Sequence, residues 1–284
     1  MELMIKTKYD PRPSPIAGSW YPDDPTHLRH TISKFLTYSK QVSVTNKVFG
    51  VIAPHAGYIY SGKVAGSAFS NLAGLNPQIV VVLSPYHQYH AAPILTSGHS
   101  HYQTPLGEIP VAHGLLEEVD KELRKKYKGE LTYIRLDQEH SLEIELPFLQ
   151  CTLASDFALL PIMVREFDLG HLEALAEAIY SVLDGIEWLM VASTDLSHFY
   201  NLPVAKQLDD AMITAWSSFS AKNILDTARK GEGEACGLGA VIAGISLCKI
   251  AGAKSLHVVG QDTSATASGD THRVVGYGAA VITD

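Results

Sequence analysis

Residues 48–62, VFGVIAPHAGYIYSG, run from a short apolar stretch into a proline and a histidine. The apolar stretch, residues 48–53, has the length and composition of a strand, and Pro54 ends it. Two glycines, two tyrosines and a serine follow His55, and the small residues leave space beside its ring. This stretch therefore predicts a buried strand that stops at a side chain able to bind or react.

The same order of strand and polar side chain recurs further along the chain. Residues 79–90, IVVVLSPYHQYH, place a stiff β-branched strand before a proline, His87 and His90. Residues 188–198, WLMVASTDLSH, place Asp195 and His198 after another strand. Because ligands bind outside the carboxyl ends of the strands in open α/β sheets, we expect these side chains to share one site, with His90 in a supporting role.

Strand-like segments alternate with helical patterns along most of the chain. The strands are predicted at 48–53, 79–84, 93–97, 157–164, 188–194, 255–261 and 274–283. The helices are predicted from residue 25 onward and at 61–75, 114–127, 141–153, 169–183, 204–219, 220–230 and 236–250. This alternation predicts an α/β fold, with a mainly parallel central sheet flanked by helices in a single domain over residues 1–284.

The first 25 residues carry several prolines and no clear period. They are predicted to form an extended, irregular leader, residues 1–25. Asp24 and Pro25 have the residue types preferred before and at the first position of a helix. The first helix is therefore expected to begin at Pro25.

Composition narrows the classes of function. The 284 residues include 22 basic and 30 acidic side chains, a net charge of −8, which gives no electrostatic reason to bind nucleic acid. No run approaches the roughly 20 apolar residues of a membrane-spanning helix, so no membrane contact is expected. Three scattered cysteines do not form a disulfide framework, and the N-terminus has no apolar signal segment. A reduced, cytoplasmic protein is therefore expected.

Cys236 lies in residues 231–241, GEGEACGLGAV, at the predicted start of a helix. A thiol at a helix N-terminus is expected to have a lowered pKa, because the helix dipole favours the thiolate. Two neutral imidazoles and one thiolate suit zinc, iron or copper better than magnesium or calcium. Three protein ligands would leave a position open for water or substrate, and His198, oriented by Asp195, would be free to transfer a proton.

Each of these residues also has a structural explanation. A single histidine beside a strand is often hydrogen-bonded packing, and Cys236 can be a small buried apolar residue like Cys151 and Cys248. In residues 139–149, EHSLEIELPFL, His140 and Glu143 share a helical spacing and can contact a substrate. Alternatively, Ser141 and the glutamates, Glu145 included, cap the start of a helix.

Seven segments, in their order along the chain, resemble those of the Memo family. They are RPSPIAGSWYP, PHAGYIYSG, VVVLSPYHQ, TPLGEIPV, DQEHSLEIELPFL, STDLSHF and ACGLGAV. The resemblance extends from about Arg12 to Ile282, and its most specific parts are PHAGY with its following SG and EHSLE with its following LPF. The chain is therefore identified as similar to the Memo family over nearly its whole length.

The resemblance implies a fold similar to that of the class III extradiol ring-cleaving dioxygenases, which are non-haem iron enzymes. It implies a copper or iron ion on His55, His87 and Cys236; zinc is a further alternative because the residue types also suit it. His198 would match the general base of the dioxygenases, with Asp195 beside it, and His140 would line the same cleft.

The implied ligands depart from the dioxygenase pattern, which uses two histidines and a carboxylate. Here the third ligand would be Cys236, unless Glu234 or Glu143 takes its place. Eukaryotic Memo proteins resemble signalling and redox proteins that bind phosphotyrosine peptides, and prokaryotic relatives often accompany a radical-SAM protein. The resemblance therefore implies a small-molecule or peptide ligand and a radical-SAM pathway partner.

These observations leave three functional hypotheses. The first is a metal-dependent redox enzyme, in which Tyr58 and Tyr60 stack on or hydrogen-bond a substrate. The second is a non-catalytic protein that binds a peptide or a metal in the same cleft. The third makes Cys236 a nucleophile with His198 or His55 as its base, without a metal.

Overall fold

The computed structural model describes residues 9–38, 47–127 and 129–284, and their apolar side chains form one large buried core. The helices are α1 (Pro25–Tyr38), α2 (Tyr58–Phe69), α3 (His113–Tyr127), α4 (Leu146–Thr152), α5 (Leu169–Val182), α6 (Leu202–Ser217), α7 (Ala221–Arg229), α8 (Leu238–Ile250) and α9 (Ala265–Ser268). The strands are β1 (Pro11–Arg12), β2 (Val48–Ala53), β3 (Ile79–Pro85), β4 (Ile94–Ser97), β5 (His101–Thr104), β6 (Gly107–Pro110), β7 (Thr132–Ile134), β8 (Ala158–Val164), β9 (Trp188–Ser193), β10 (His198–Tyr200), β11 (Ser255–Thr263) and β12 (Val274–Thr283). The predicted α/β fold, with a central sheet flanked by helices, is confirmed.

The central sheet has parallel strands at its centre and antiparallel strands at its margins. Its order is β10, β12, β2, β9, β3, β8, β4 and β7, and β11 pairs with the other side of β12 along much of its length. β2, β9, β3 and β8 are parallel to one another, whereas β12 is antiparallel to β2 and β4 is antiparallel to β8; β7 is parallel to β4. This antiparallel pairing was not predicted, because strand direction depends on long-range connections rather than on local sequence.

The central strands are buried because helices cover the sheet. Every residue of β3 is buried, which is typical of a parallel strand covered on both faces. α8 packs against β9 and β3, and its residues 238–248 are all buried. α2 packs against β2, β11 and β12. In the part of the chain that the structure describes, no helix combines the length and the apolar character needed to cross a membrane.

The leader is integrated into the fold rather than extended and irregular throughout. From Pro11, β1 pairs in parallel with β5, which pairs with β6 in a three-stranded sheet. Arg12, at the end of β1, is 1% exposed and forms ion pairs with Asp137 and Glu143. The pairing of β1 was not predicted, because the partners of a two-residue strand lie far along the chain. Residues 1–8 lie outside the described residues.

The helix boundaries differ from the prediction at two places that matter for the site. α2 begins at Tyr58 rather than Ser61, directly after the loop that carries His55. α8 begins at Leu238, so Cys236 precedes the helix instead of starting it. The cap of α1 is as predicted, since the backbone N–H of His27 donates to Asp24 Oδ1 over 2.7 Å.

Candidate metal centre

The loops after β2, β3 and β9 meet at one edge of the sheet, because these three strands are neighbours in it. They bring His55, His87 and His198 to the same place, and the segment before α8 adds Cys236. His55 Nε2 lies 3.1 Å from Cys236 Sγ. One ligand atom from each of His55, His87 and Cys236 lies within 4.8 Å of the other two. This spacing is compatible with three ligands around one ion.

Cys236 reaches the site because the chain after it passes very close to the end of β9. A Cβ atom on Gly237 would lie 2.3 Å from the carbonyl oxygen of Ser193, so only glycine fits there. The backbone N–H of Gly237 donates to Thr194 Oγ1 over 2.9 Å. The backbone N–H of Cys236 donates to the carbonyl of Asp195 over 3.1 Å. These contacts fix the thiol next to His55.

The Cys236 thiol has a raised pKa, not the lowered pKa predicted from a helix N-terminus. The residue is only partly buried, but its sulfur is enclosed by protein atoms, and this burial raises the pKa, as does the nearby Asp195 carboxylate. The backbone N–H of Asp195 donates to the sulfur over 3.2 Å without reversing this effect. In the metal-free protein Cys236 is therefore a thiol, and a bound metal would have to displace its proton.

His55 is buried and held at both its backbone and its ring. Its backbone N–H donates to Asp195 Oδ1 over 2.8 Å, and its ring Nδ1 lies 2.9 Å from Ser193 Oγ. Burial lowers the pKa of His55 well below its usual value, and the neighbouring His87 and His140 lower it further. His55 is therefore neutral at pH 7, which is the form that binds a metal.

His87 lies at the open side of the site and is oriented by a buried carboxylate. Its ring Nδ1 lies 2.9 Å from Glu139 Oε1, and its backbone N–H donates to Glu139 Oε2 over 2.6 Å. The backbone N–H groups of His140 and Ser141 also donate to Glu139 Oε1, over 3.0 Å each. Although burial opposes ionisation, the contacts with His87 and Ser141 keep the pKa of Glu139 low. A carboxylate behind a ligating histidine is the usual support in protein metal sites.

A second set of side chains has ligand atoms close enough to bind one metal ion: His87, Glu139 and His140. However, both Glu139 oxygens already accept hydrogen bonds from neighbouring N–H groups. A metal on Glu139 would have to replace them. Glu139 is therefore better explained as the support of His87 than as a ligand.

His140 lies against the imidazole rings of His55 and His87. Its ring centroid is 4.7 Å from that of His87 and 5.4 Å from that of His55. Trp20 from the N-terminal segment lies 4.2 Å away, centroid to centroid. Burial lowers the pKa of His140 to about 4, so its ring is neutral at physiological pH.

His198 and Asp195 both lie at the site, but they do not form the predicted pair. The Asp195 carboxylate accepts from the backbone N–H of His55 and of Ala56, so it holds the loop after β2. His198 lies on β10, half-buried, and burial lowers its pKa against the opposing effect of the Leu196 backbone. Asp195 therefore has a different task from the one predicted, because its oxygens face backbone donors.

Tyr58 and Glu143 lie behind the site rather than in its cleft, contrary to expectation. Tyr58 is 3% exposed and packs against Phe148, with ring centroids 4.9 Å apart. Its hydroxyl donates to the carbonyl of Ile144 over 2.9 Å. Glu143 is fully buried and accepts from Arg12 over 2.6 Å and from Tyr21 over 2.8 Å. Both side chains are thus part of the core that supports the site.

The predicted cap around Ser141 is also absent: neither the 3₁₀ turn Glu143–Glu145 nor α4 has a side-chain cap. Ser141 Oγ instead donates to the carbonyl of Pro85 over 2.8 Å. The alternative third ligands are occupied elsewhere, since Glu143 binds Arg12 and Glu234 accepts from the Tyr200 hydroxyl over 2.6 Å. His90 accepts from the backbone N–H of Ala92 over 3.0 Å.

A cavity of about 440 Å³ lies beside the loop that carries His55. Its lining includes Trp20, Ala56, Gly57, Ile59, Tyr60, Phe199, Arg273 and Tyr277. Ala56 follows His55 and Phe199 follows His198, so the cavity adjoins the site through the chain itself. Phe199 is 61% exposed at a φ of +65°, and the Arg273 guanidinium lies 5.2 Å from its ring centroid. The cavity thus has aromatic side chains in its wall, together with the positively charged side chain of Arg273.

Sequence reasoning missed the residues that support the ligands. Glu139 precedes His140 directly, and Ser193 ends the strand beside β2, so proximity to a candidate was a usable signal for both. Trp20 and Arg12 had no such signal, because they come from the N-terminal segment that was predicted to be irregular. Their positions depend on the pairing of β1 with β5.

The fold and the site together define an α/β protein with a His/His/Cys group at the carboxyl ends of its parallel strands. The sequence model of the family described as Memo-like protein matches residues 12–281. The chain therefore belongs to the Memo family, as the resemblance of its motifs implied.

Several relatives carry the description MEMO1 family protein. The protein from Methanococcoides burtonii is 32% identical over 274 residues, covering 94% of this chain and 98% of the relative. Those from Nitrosopumilus maritimus and Aquifex aeolicus are each 30% identical, over 273 and 267 residues. These two matches cover 93% and 92% of this chain and 96% and 95% of the relatives. The similarity therefore extends over nearly the full length of this chain and of each relative.

Proposed function

We propose that the chain is a metal-dependent redox enzyme, with His55, His87 and Cys236 as the metal ligands. The observation that carries this proposal is the group of three ligand atoms within 4.8 Å of one another at the carboxyl ends of the strands. Each histidine has its own hydrogen-bonding support, Ser193 for His55 and Glu139 for His87. Such support is typical of residues that must present a lone pair in a fixed direction.

Two imidazoles and a thiolate favour iron or copper, with zinc as the alternative that lacks redox chemistry. When bound, iron or copper would supply an electron-transfer centre and a Lewis acid beside the substrate cavity. The protein contributes a neutral His55, an oriented His87 and a thiol that becomes a thiolate ligand. Because the thiolate is readily oxidised, the enclosed position of Cys236 also protects the site.

His198 is proposed to accept or deliver the proton of the reaction. It lies half-buried beside the ligands, and its lowered pKa leaves it neutral at pH 7. A neutral imidazole can take a proton from a bound hydroxyl or amine. Asp195 is proposed to act indirectly, by holding the loop after β2 that places His55.

The substrate is proposed to be a small organic molecule or a modified segment of a protein. The 440 Å³ cavity is within the size range of small-molecule sites. Tyr60, 41% exposed on its wall, and His140, beside the ligands, are the proposed substrate contacts. The predicted cytoplasmic location and radical-SAM pathway partner stay predictions from the sequence.

A second candidate function is a non-catalytic protein that binds a peptide or carries a metal. The open aromatic cavity favours it as much as it favours an enzyme. Substituting His198→Gln separates the two functions, because a binding protein keeps its affinity while an enzyme loses turnover. The thiol-nucleophile hypothesis loses support, since a thiol with a raised pKa is a poor nucleophile at neutral pH.

Anaerobic metal analysis tests the proposed site. We expect the wild type to bind about one equivalent of iron or copper, and Cys236→Ser to lose most of it. Cys151→Ser, another partly buried cysteine outside the ligand group, is the matched control and should keep the metal. A wild type that takes up neither iron nor copper would contradict the proposal. Equal binding by Cys236→Ser would contradict the assignment of the third ligand.

A further inference from the structure

Glu145 is a buried carboxyl group that the proposed function does not use. It ends the 3₁₀ turn before α4 and is 1% exposed. Its Oε1 lies 2.7 Å from Ser193 Oγ, whereas its Oε2 has no hydrogen-bond partner within the described residues. Ser193 in turn lies 2.9 Å from His55 Nδ1. Glu145 is therefore one hydroxyl group away from a proposed metal ligand.

The Ser193 hydroxyl has three close polar neighbours and a single proton. Its oxygen lies 2.7 Å from the Ser141 carbonyl oxygen, as well as near Glu145 Oε1 and His55 Nδ1. A carbonyl oxygen only accepts hydrogen bonds, so the Ser193 proton must point to Ser141 if that contact is a hydrogen bond. Glu145 and His55 must then both donate to the two lone pairs of Ser193.

This assignment satisfies all three contacts at once, and an ionised Glu145 does not. If Glu145 were a carboxylate, Ser193 would have to donate to it. Two oxygens, Ser193 Oγ and Ser141 O, would then lie 2.7 Å apart without a proton between them. The other carboxylate oxygen would remain buried without a donor, which is strongly unfavourable.

The surroundings of Glu145 also oppose a negative charge. The neighbouring titratable groups are the Asp195 carboxyl, which raises the pKa of Glu145, and the Tyr58 phenol, whose own pKa is raised by burial and by Glu145. Burial raises the pKa of Glu145 well above its usual value, and the contact with Ser193 offsets only part of this. Burial and the neighbouring charges therefore favour the same protonated Glu145 that the hydrogen bonds around Ser193 require.

We propose that Glu145 is a neutral carboxylic acid in the folded protein and a positioning residue for the metal site. Through Ser193 it fixes His55 as the tautomer with its proton on Nδ1. The lone pair of His55 then lies on Nε2, the atom that faces Cys236. This inference rests on the proposed function only in giving His55 the role of a ligand.

The proposal makes the two histidine ligands chemically different. His87 is supported by the ionised carboxylate of Glu139, which increases the electron donation of its ring. His55 is supported by a hydroxyl group that already accepts a second proton from Glu145. His55 is therefore the weaker electron donor to a metal. At His55 the protein controls which ring nitrogen carries the proton, rather than the basicity of the ring.

Infrared difference spectroscopy of the metal-free protein tests the protonation state directly. At pH 7 the difference between wild type and Glu145→Gln should contain the carbonyl band of a protonated carboxylic acid. The exposed Glu173→Gln is the matched control and should show carboxylate bands instead. Carboxylate bands for Glu145→Gln as well would overturn the proposal.

Nitrogen-15 NMR of the histidines tests the tautomer. We expect His55 in the wild type to carry its proton on Nδ1, and Glu145→Gln to keep this state because its amide can still donate to Ser193. Ser193→Ala should lose the preference and weaken zinc binding about tenfold, whereas Glu145→Gln should bind zinc as the wild type does. A wild-type His55 protonated on Nε2, or a Ser193→Ala variant with unchanged tautomer, would overturn the proposal.

Both tests can be read without turnover or a native metal. A chain that shows the acid band and the Nδ1 tautomer but binds no iron or copper would retain this inference and lose the proposed function. A chain that binds iron or copper but shows neither the acid band nor the Nδ1 tautomer would retain the metal site and remove Glu145 from it. If Ser193→Ala does not fold, the infrared measurement on Glu145→Gln still decides the protonation state.

Discussion

At the scale of single residues, burial keeps most titratable side chains of the site uncharged. Burial lowers the pKa of His55 and His140 and raises the pKa of Cys236 and Glu145. Each shift favours the uncharged form of its group, as desolvation requires. Glu139 is the exception, and its charge is stabilised by several N–H donors. A cation entering this site would therefore meet two imidazole lone pairs, the ionised Glu139 behind one ring, and the Asp195 carboxyl, whose pKa burial raises to about 7.

Asp209 on α6 gives a pH-dependent prediction outside the ligand group. It is 1% exposed, accepts from the backbone N–H of Ser197 over 2.9 Å, and burial raises its pKa to about 6. Because the folded state binds this proton more tightly than the unfolded state, Asp209 favours folding most below pH 4. That contribution is lost as the pH rises through about 6.

Asp209→Asn should remove this pH dependence while keeping an oxygen that accepts from Ser197. We expect the free energy of unfolding of the wild type, relative to Asp209→Asn, to fall by about 2 kcal/mol between pH 4 and pH 7. Urea unfolding at several pH values measures this difference. A difference that does not change with pH would show that Asp209 has an ordinary pKa.

At the scale of elements, the strands whose carboxyl ends carry the candidate site could be predicted from the sequence. The short strands that hold the N-terminal segment in place could not. The strands before His55, His87 and Asp195 were recognised because apolar β-branched runs end at polar residues. β5 (HYQT) and β6 (GEIP) have no such pattern, and each depends on a partner elsewhere in the chain.

The roles of the site residues divide in the same way. The sequence indicated which candidate residues meet, because each of them follows a predicted strand of the same sheet. Hydrogen-bond partners such as Ser193 and Glu139 depend on side-chain directions that local sequence does not determine. The predicted contact between Asp195 and His198 was wrong for this reason, since the loop after β2 offers Asp195 two backbone donors.

The junction between β9 and α8 gives a prediction at the element scale. Gly237→Ala would place its Cβ 2.3 Å from the Ser193 carbonyl oxygen and 2.7 Å from Thr194 Cβ. The segment carrying Cys236 must then move, so we expect a loss of about 2 kcal/mol in stability and weaker metal binding. Thermal unfolding and metal titration measure the two effects.

Gly114→Ala in α3 is the control for that substitution. A Cβ at Gly114 has no atom within 4 Å, and alanine favours a helix more than glycine does. It should therefore leave metal binding unchanged and raise stability by about 0.5 kcal/mol. A Gly237→Ala variant with the stability and metal affinity of wild type would contradict the close approach at this junction.

At the scale of the whole molecule, Arg12 connects the N-terminal segment to the candidate metal site. Its guanidinium donates to Asp137 over 2.8 Å, to Glu143 over 2.6 Å and to the carbonyl of Glu139 over 2.7 Å. Glu139 is the residue that orients His87. β1 therefore helps to hold Glu139 and, through it, the candidate ligand His87, which follows the central strand β3.

Arg12→Met should be strongly destabilising, because it leaves Asp137 and Glu143 buried without their cation. We expect a loss of about 3–5 kcal/mol in the free energy of unfolding, measured with urea. Arg12→Lys keeps the charge but not the paired geometry and should lose less. Arg29→Met, at a residue outside this network, is the control, and a similar small loss in both Met variants would contradict the assigned role of Arg12.

The central claim is that one metal ion binds to His55, His87 and Cys236, and X-ray absorption spectroscopy of the metal-loaded protein tests it most directly. The account predicts one sulfur and two imidazole ligands around iron or copper, with the sulfur absent from the spectrum of Cys236→Ser. A metal surrounded only by nitrogen and oxygen in the wild type would contradict it. The metal would then lie elsewhere or use a carboxylate, and the site would need to be reassigned.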